Sequence, residues 1–405
     1  MQMGLKRETI KQIRIIFLFI LICTFIPCKA PETEWQRTVG EENGIRFIKN
    51  PEEPFFGELD LELTQSLCIG NEYDDNYFFY KVRDIEIDSK SNIYVLDAGN
   101  VSIQKFDKSG AYIQTIGIKG QGPGGLHNPY DIFVTANDFL YVLDNRKVVI
   151  FDDLGTFRKI VNLEVNVSEF AVTSHNTFIA RMNPAQERKK SLVIIDTDGQ
   201  LIQKFAEYPD VKPSVRKGQK RGSYVTFVVF HDYTPHPRFA ILDEERVVYG
   251  YPLDYEINVI STSGKLLLRI YKEERKEIIS QREKDKIIAE LETSISQNGR
   301  TWPRGVLEEA CKFPDHKPFF QNILIDEMRR LYIIKATSVL DNTEKFKIDI
   351  FDNQGNYLYK TKIPFIPELI FDGQMYQLFA VEETGEIKII KYRIKNWDQI
   401  KSGIN

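Results

Sequence analysis

The sequence predicts an all-β fold, a six-bladed β-propeller, and three observations lead to this prediction. An Asp-x-x-Gly mark, with serine replacing aspartate once, recurs along the chain and ends at Gly110, Gly155, Gly199, Gly264 and Gly355. The first two intervals are 45 and 44 residues, which is the length of one four-stranded blade. A tyrosine marks the second strand of most units, at Tyr94, Tyr141, Tyr249, Tyr332 and Tyr376.

The recurring turn has a physical basis. Aspartate can accept hydrogen bonds from backbone amides two residues further on, and glycine adopts a positive φ without steric cost. The flanking segments are apolar runs or alternations of four to six residues, as expected for buried and half-buried strands. Each unit therefore predicts strands joined by tight turns, which is the pattern of a propeller blade.

We count six units, whose first strands begin near Arg83, Tyr130, Ser168, Arg238, Phe319 and Ile366. The sixth unit, Leu369–Lys395, has only three strands. The spacing indicates where the fourth strand of this unit lies. Ile69-Gly70 precedes Asp84 by the same interval that separates Ile116-Gly117, at the end of an outer strand, from Asp131. The N-terminal segment Leu61–Ile69 is therefore predicted to be the outer strand that closes the ring, which removes an exposed sheet edge. The predicted organisation is a leader at 1–28, a linker at 29–58, the propeller at 59–395 and a C-terminal tail at 396–405.

One group of motifs resembles a known family. The first unit reads Asn-Ile-Tyr-Val-Leu-Asp at 92–97, then Ile-Gln-Lys-Phe-Asp-x-x-Gly at 103–110, then Ile-Gly-Ile-Lys-Gly-Gln-Gly-Pro-Gly at 116–124. This pattern resembles the six-bladed propellers of the NHL-repeat type, and the exported bacterial versions most of all. The resemblance covers about residues 60–395 and is most specific in the first two units. It implies the fold but no activity.

The N-terminus has the pattern of an export signal. Four basic residues precede the apolar run Ile15–Ile26, which is too short for a membrane span of about 20 residues. Cys28 follows the run, and we expect it to carry a lipid anchor, although Pro27 stands where such sites usually have a small residue. Simple secretion and an uncleaved anchor are the alternatives. The expected location is the bacterial cell envelope, in the periplasm or at the outer membrane.

Composition excludes two classes of protein. Hydrophobic residues make up 42% of the chain and aromatic residues 12%, which excludes global disorder. The 54 basic and 58 acidic residues give a net charge of −4, which argues against a nucleic-acid partner. Contact with a membrane is expected only through the N-terminal anchor, and the protein is expected to be a monomer. After the leader only Cys68 and Cys311 remain, and we expect two buried thiols, with a disulfide as the alternative.

Two insertions interrupt the repeat. The segment 212–222 holds five basic residues and is expected to be a solvated loop, with an anionic-ligand or lipid-headgroup patch as the alternative. A helical insertion at about 272–313 lies between units four and five. Its apolar stripe is expected to lie against the propeller's own ring, with a lid or partner-binding arm as the alternative; the stripe consists of Ile278, Ile279, Ile287, Ile288, Leu291 and Ile295.

No catalytic motif stands out in the sequence, and we assign no catalytic residue. The candidate site is instead positional, because the links that lead into successive inner strands converge on one face of a propeller. Three histidines occupy such links shortly before a proline, namely His127, His236 and His316. The same links hold Tyr80, Arg83, Asp84, Tyr130, Asp131, Arg238, Lys317 and Gln321. Together they predict a channel mouth of mixed polarity that binds a polar organic ligand.

Chemistry at this mouth has several interpretations. No cofactor and no metal ligand are predicted, and a channel metal ion bound by the histidines is the alternative. The pairs Asp97/Asn100 and Asp144/Asn145 recur with the repeat, so we expect them to cap turns. The predicted function is non-catalytic binding of a polar small molecule or an unknown protein at the channel face. The alternatives are a hydrolase or lyase, lactonase-like in type, and an interaction platform that uses the helical insertion.

Overall fold

The computed structural model describes residues 35–404, apart from 183–188, 210–213, 219–223, 229–230, 298–301, 303, 342–344 and 382–383. The leader, Cys28 and much of the basic segment 212–222 lie outside the described residues. Within the described part of the chain, no helix is both long and apolar enough to cross a membrane.

Blades 1 to 3 are four-stranded antiparallel sheets, each built from consecutive strands that run from the channel outward. The strands of blade 1 are Val82–Ile87, Ile93–Asp97, Ser102–Phe106 and Tyr112–Ile116. Those of blade 2 are Pro129–Val134, Leu140–Asp144, Lys147–Phe151 and Phe157–Asn162. Those of blade 3 are Val167–Val172, Phe178–Met182, Lys189–Ile195 and Leu201–Pro209. The second strands of blades 1 and 2 are buried along their whole length because they are covered on both faces by neighbouring sheets.

Blades 4 to 6 repeat this arrangement with additions. The strands of blade 4 are Arg238–Ile241, Arg246–Gly250, Glu256–Ser261 and Leu266–Lys272. Those of blade 5 are Phe320–Ile325, Leu331–Lys335, Phe346–Phe351 and Tyr357–Ile363. Blade 6 contributes Leu369–Phe371, Gln374–Ala380 and Ile387–Ile394. The short elements are two strand pairs, Ile118–Lys119 with Gly125–Leu126 and Ser214–Gly218 with Tyr224–Val228, and the 3₁₀ turn Trp397–Gln399.

The six-bladed propeller predicted from the repeat is confirmed, and its last blade takes a strand from the front of the chain. The segment Leu63–Ile69 pairs antiparallel with the third strand of blade 6, from Ile69 opposite Ile389 to Leu63 opposite Ile394. This is the pairing that the spacing of the Ile-Gly marks predicts, with the strand beginning at Leu63 rather than Leu61.

The strands at 38–59 extend two blades, although the sequence analysis assigned residues 29–58 to a linker. The hairpin Thr38–Glu42 and Ile45–Asn50 joins blade 4, with its second strand parallel to the blade's outer strand. Glu58–Leu59 runs parallel to the outer strand of blade 5. The polar composition concealed these strands, because their outer faces are exposed and only residues such as Ile48 reach the core.

The C-terminal residues also pack on the ring rather than trailing from it as a tail. Ile400 is buried in the core cluster between blades 5 and 6. The buried Arg330 donates from its guanidinium to the Ile400 carbonyl at 2.6 Å and stacks over the ring of Trp397. The contact fixes the chain end against blade 5.

The Asp-x-x-Gly turns behave as the sequence predicts. In the first turn, an Asp107 carboxylate oxygen accepts hydrogen bonds from the amides of Ser109 and Ala111. Gly110 has a φ of +86°, which glycine adopts freely. These turns join third to outer strands and therefore lie on the face opposite the links between blades; we call these the turn face and the link face.

The helical insertion lies between blades 4 and 5 and consists of two helices, α1 (Gln281–Gln297) and α2 (Arg304–Ala310). Ile287 and Ile288 of α1 are buried, the first against Tyr233 and the second against α2. Ile287 therefore packs on the link that enters blade 4, in line with the expected packing on the ring, whereas Ile288 packs on the second helix of the insertion instead. Ile278 differs from the expectation and is 80% exposed, because α1 begins only at Gln281.

The two cysteines of the described chain are both free. Cys311 is buried as expected, and burial raises the pKa of its thiol to about 11. Cys68 is exposed, contrary to the expectation, because the closing strand is the outermost strand of blade 6 and this side chain faces outward.

Candidate functional site

A β-bulge recurs at the same place in four inner strands, near the end that enters the channel. The register shifts just before Asp84, Asp131, Glu169 and Asn322, in blades 1, 2, 3 and 5. A bulge inserts one extra residue and re-aims the side chain that follows it. The repeat thus places an acidic or amide side chain at the same point in four of the six blades, and three of them, Asp84, Asp131 and Glu169, line the channel.

Two of these carboxylates join neighbouring blades. Asp84 accepts a hydrogen bond from the amide of Ile132 in blade 2 at 3.0 Å. Asp131 accepts one from the amide of Phe170 in blade 3 at 2.8 Å. The other Asp84 oxygen accepts a hydrogen bond from the amide of Ile85 at 2.9 Å, so both oxygens of Asp84 and one of Asp131 are bonded to the ring's own backbone.

The channel is a cavity of about 350 Å³ between the inner strands. Its polar lining is acidic and comes from blades 1, 2, 3 and 6, in the form of Asp84, Glu86, Asp131, Glu169 and Glu368. The remaining lining is apolar, with aromatic rings from blades 2, 3, 4 and 6 at Phe133, Phe170, Phe239 and Phe371.

This environment disfavours ionised carboxyls. Burial raises the pKa of Asp84 to about 6, against hydrogen bonds from Ile132 and Asp131 that act to lower it. Burial and the neighbouring Asp84 and Glu169 raise the pKa of Asp131 well above its ordinary value. Burial and Asp84 raise the pKa of Glu368 to about 7, and Arg238 acts in the opposite direction. Several channel carboxyls therefore carry or share protons near neutral pH.

Basic side chains lie beside one of these acidic residues, Glu169. Arg181, in the second strand of blade 3, makes an ion pair with Glu169 at 2.7 Å. Arg238, at the start of blade 4, lies 3.9 Å from the same Glu169 oxygen. Two guanidinium groups thus face one carboxylate at the junction of blades 3 and 4.

His236 lies beside these cations and is neutral. Burial, reinforced by Lys190, Arg181 and Arg238, lowers the pKa of its imidazole to about 2. Lys190 donates from Nζ to the His236 Nδ1 at 2.9 Å and to the Pro235 carbonyl at 3.0 Å. The histidine is consequently an acceptor toward lysine rather than a cation.

A second cavity, of about 320 Å³, lies at the mouth between blades 4 and 5, and we call it the mouth cavity. Its polar lining comes from His231, Asp232, Thr234, His236, Arg238 and Gln321. Its apolar lining comes from Pro252, Pro318, Phe320 and Ala336. Arg238 is therefore near both the channel and the mouth cavity, at the boundary between them.

The structure brings together part of the predicted site. Asp84 and Asp131 line the channel, while His236, Arg238 and Gln321 line the mouth cavity. His127, Tyr80 and Arg83 are exposed on the link face and line neither cavity.

Three other predicted residues act elsewhere. The Tyr130 hydroxyl donates to the Val167 carbonyl at 2.6 Å and braces blade 2 on blade 3. The His316 Nδ1 lies 2.8 Å from the Lys317 carbonyl. Lys317 points to the helical insertion, with Nζ 2.9 Å from Glu283 and 3.0 Å from Glu277. These three side chains hold the link face together.

The aspartates that recur with the repeat cap turns, as expected. Asp97 accepts hydrogen bonds from the amides of Tyr80 and Lys81 at 2.7 and 2.8 Å. Asp144 accepts them from His127 and Asn128 at 3.0 and 2.6 Å. Each side chain therefore fixes the link that enters its own blade.

Sequence reasoning missed several charged residues of the site, among them Glu86 in the channel and Asp232 in the mouth cavity. Glu169 occupies the position of Asp84 and Asp131 in the repeat, so aligning the units on their bulges would have found it. Glu368 precedes the inner strand of blade 6, which has only three residues, so its alignment with the inner strands of the other blades is not evident from the sequence. Arg181 and Lys190 come from second and third strands, and no sequence signal marks them as neighbours of the channel.

The three proline-flanked histidines have separate contacts and environments. Among the residues that the structure describes, no group of three or more His, Cys, Asp or Glu side chains is placed to hold a metal ion.

Comparison with known proteins supports the fold. Residues 55–227 match a family model, DUF5128, described as a 6-bladed beta-propeller. No curated protein matches the chain.

The similar solved structures all have low sequence identity. A candidate exported protein from Bacteroides fragilis is 15% identical, with 86% of this chain and 99% of that one covered and a TM-score of 0.49. A member of the duf4221 family from Bacteroides vulgatus is 11% identical, with coverage of 83% and 98% and a TM-score of 0.47. Virginiamycin B lyase from Staphylococcus aureus is 12% identical, with coverage of 82% and 99% and a TM-score of 0.41. The strand pairing and the family match together identify the chain as a six-bladed β-propeller.

Proposed function

We propose that this protein is a non-catalytic binding protein that takes a polar small molecule at the mouth of its channel. The observation that carries the proposal is the convergence of charged side chains from five blades on one cavity system. They are Asp84, Asp131, Glu169, Arg238 and Glu368. Convergent polar groups in a cavity with apolar walls are typical of a small-molecule site.

The charges are poorly compensated by the protein itself. Burial outweighs the neighbouring hydrogen bonds and the Arg238 cation and keeps the pKa values of Asp84 and Glu368 raised, so the protein stabilises their ionised forms only in part. A ligand that donates hydrogen bonds to these carboxyls would favour their ionisation and gain affinity. Packing alone does not require such a set of carboxyls at the centre of a fold.

The proposal places the protein outside the cytoplasm, anchored through Cys28. Its support is the basic flank and the short apolar run that precede this cysteine. Mass spectrometry of the mature N-terminus tests it. A diacylated or triacylated Cys28 supports the anchor, whereas an N-terminus without lipid contradicts it.

The binding function is tested by thermal shift against a panel of polar compounds, including amino acids, sugars, dicarboxylates, polyamines and short peptides. A ligand present at a hundred times its dissociation constant stabilises the protein by about 2.7 kcal/mol. The shift should shrink in Glu368→Gln and in Arg238→Gln. Lys108→Gln, on the exposed turn face, is the control and should respond like the wild type.

Two results would contradict binding at the mouth. One is the absence of any stabilising compound in the panel. The other is a stabilising compound whose effect is unchanged in both mouth variants, which would locate its site elsewhere.

One observation favours a second candidate, a hydrolase or lyase. The pKa of Asp84 is about 6, and a general acid or base works best with a pKa near the working pH. Turnover of a panel of lactones and esters tests this candidate. Activity that disappears in Asp84→Asn supports it, and a panel without turnover contradicts it.

The interaction platform finds less support. The residues of α1 that would contact a partner, Ile287 and Ile288, are buried in the protein's own clusters.

A further inference from the structure

We infer that the mouth cavity binds the carboxylate of a small organic monoanion, with the Arg238 guanidinium as its charged partner. The inference rests on the proposed function and specifies the chemical class of its ligand.

The cavity has the size and the walls for such a ligand. Its volume of about 320 Å³ is at the lower end of the range for small-molecule pockets, roughly 300 to 1,000 Å³. Phe320, Pro252 and Pro318 form an apolar wall suited to the carbon skeleton of an organic acid. Arg238 and Gln321 provide polar groups in the same cavity.

Arg238 has unused hydrogen-bonding capacity. Its closest carboxylate is Glu169 at 3.9 Å, which exceeds hydrogen-bond distance, and that same oxygen is 2.7 Å from Arg181. Within the described part of the chain, the Arg238 guanidinium donates no hydrogen bond to a protein group. A guanidinium has five N–H donors in a planar fork that matches a carboxylate, so an incoming carboxylate would gain two parallel hydrogen bonds.

The local charge favours a monoanion. The three cations Arg181, Arg238 and Lys190 outnumber the carboxylate Glu169 at the junction of blades 3 and 4, which leaves an excess of positive charge there. His236 adds none, because burial and the neighbouring cations keep it neutral. Asp232 lies at the exposed rim of the same cavity and Glu368 faces Arg238 from the channel. These acids would repel a phosphate dianion more strongly than a carboxylate.

The test uses trifluoroacetate as the probe and ¹⁹F NMR line broadening as the readout, in a buffer without carboxylates. Trifluoroethanol serves as the neutral counterpart of similar size. We expect trifluoroacetate to broaden with the wild-type protein and trifluoroethanol to remain sharp. Charged hydrogen bonds contribute about 1.5 to 3 kcal/mol, so Arg238→Gln should weaken binding by about tenfold to a hundredfold.

Two further variants make the result specific. Arg238→Lys keeps the charge but loses the planar fork, so its affinity should fall between those of the wild type and Arg238→Gln. Lys108→Gln, on the turn face, should bind the probe like the wild type. Circular dichroism and the thermal midpoint of each variant confirm that it is folded.

Three results would overturn the inference. They are equal trifluoroacetate binding by the wild type and Arg238→Gln, equal broadening of trifluoroethanol, and displacement of the probe by inorganic phosphate at lower concentration than by acetate. Failure of this inference is distinguishable from failure of the proposed function. A cationic or neutral ligand whose binding is lost in Glu368→Gln but kept in Arg238→Gln would leave the channel site standing without the carboxylate.

Discussion

Glu283 holds the helical insertion on the propeller, and replacing it with glutamine should release α1. Its carboxylate accepts hydrogen bonds from the Tyr233 hydroxyl at 2.8 Å and from the Ser280 amide at 2.9 Å, and it pairs with the Lys317 ammonium at 2.9 Å. Ser280 and Glu283 also form a capping box, because the Glu283 amide donates back to the Ser280 hydroxyl. One side chain thus joins α1 to the links that enter blades 4 and 5.

The magnitude follows from the pKa of this carboxyl. Burial acts to raise it, but hydrogen bonds from Ser338, Ser280, Lys317 and Tyr233 outweigh burial and lower it from 4.5 to about 2. A shift of that size corresponds to about 3 kcal/mol of stability, as an order of magnitude. Because the folded-state pKa is depressed, this stability is present above about pH 4.5 and is lost as the pH falls toward 2.

Hydrogen–deuterium exchange of peptides from α1 measures the effect locally. At pH 7, Glu283→Gln should exchange up to about a hundredfold faster than the wild type, since each 1.4 kcal/mol corresponds to a factor of ten. After correction for intrinsic rates, the difference should shrink as the pH falls below 4.5. Glu290→Gln, an exposed carboxylate on the same helix, is the matched control. Exchange of α1 in Glu283→Gln within threefold of the control at pH 7 would refute the reasoning.

Three further predictions concern stability. Asn50→Ala removes a buried side chain that donates a hydrogen bond to the Gly355 carbonyl at 2.9 Å and accepts one from the Tyr357 amide at 3.0 Å. The free energy of unfolding in urea should therefore fall by about 1 to 3 kcal/mol. An unchanged urea midpoint would show that blade 5 does not need the N-terminal strands. Arg330→Met breaks a buried ion pair with Asp326 at 2.6 Å and should lower the free energy of unfolding by about 3 to 5 kcal/mol. Arg329→Met, at the exposed neighbouring residue, should lower it by less than about 1 kcal/mol. Similar losses in the two variants would contradict the buried-pair argument. Burial raises the folded-state pKa values of Asp84 and Glu368 to about 6 and about 7, so the stability linked to their protonation is full below their ordinary pKa values of about 4 and is lost by the time the pH has passed the folded-state values. The thermal midpoint should therefore fall from about pH 4 to about pH 7 and should fall less in the double variant Asp84→Asn/Glu368→Gln; parallel pH profiles for the two proteins would exclude these carboxyls as the cause.

The repeat in the sequence was sufficient to predict the blades. Asp107 accepts hydrogen bonds from amides within four residues, and Gly110 adopts the positive φ of the same turn, so both roles can be recognised in the local sequence. The interval between Gly70 and Asp84 likewise placed the closing strand, because it repeats the interval between Gly117 and Asp131. The additional strands at 38–59 could not be predicted in this way, since their partners lie about 220 to 300 residues away.

The sequence also indicated some of the residues that line the two cavities. Asp84, Asp131 and Arg238 precede or begin inner strands, and the structure has them at the channel and the mouth cavity. His127 and His316 share a proline motif with His236 but do not line the mouth cavity with it, because the motif does not determine which way a link turns.

The sequence by itself therefore determined the number of blades and their turns, because those features depend on contacts between near neighbours repeated at a fixed interval. The same interval also indicated the closing strand, although its partner in blade 6 is remote in the chain. Only the tertiary structure decided the chemistry of the channel. The raised pKa of Asp84, the neutral His236 and the available guanidinium of Arg238 result from burial and from charges on other blades. Electrostatic interactions depend on distance in space, and propeller closure sets those distances between residues that are remote in the chain.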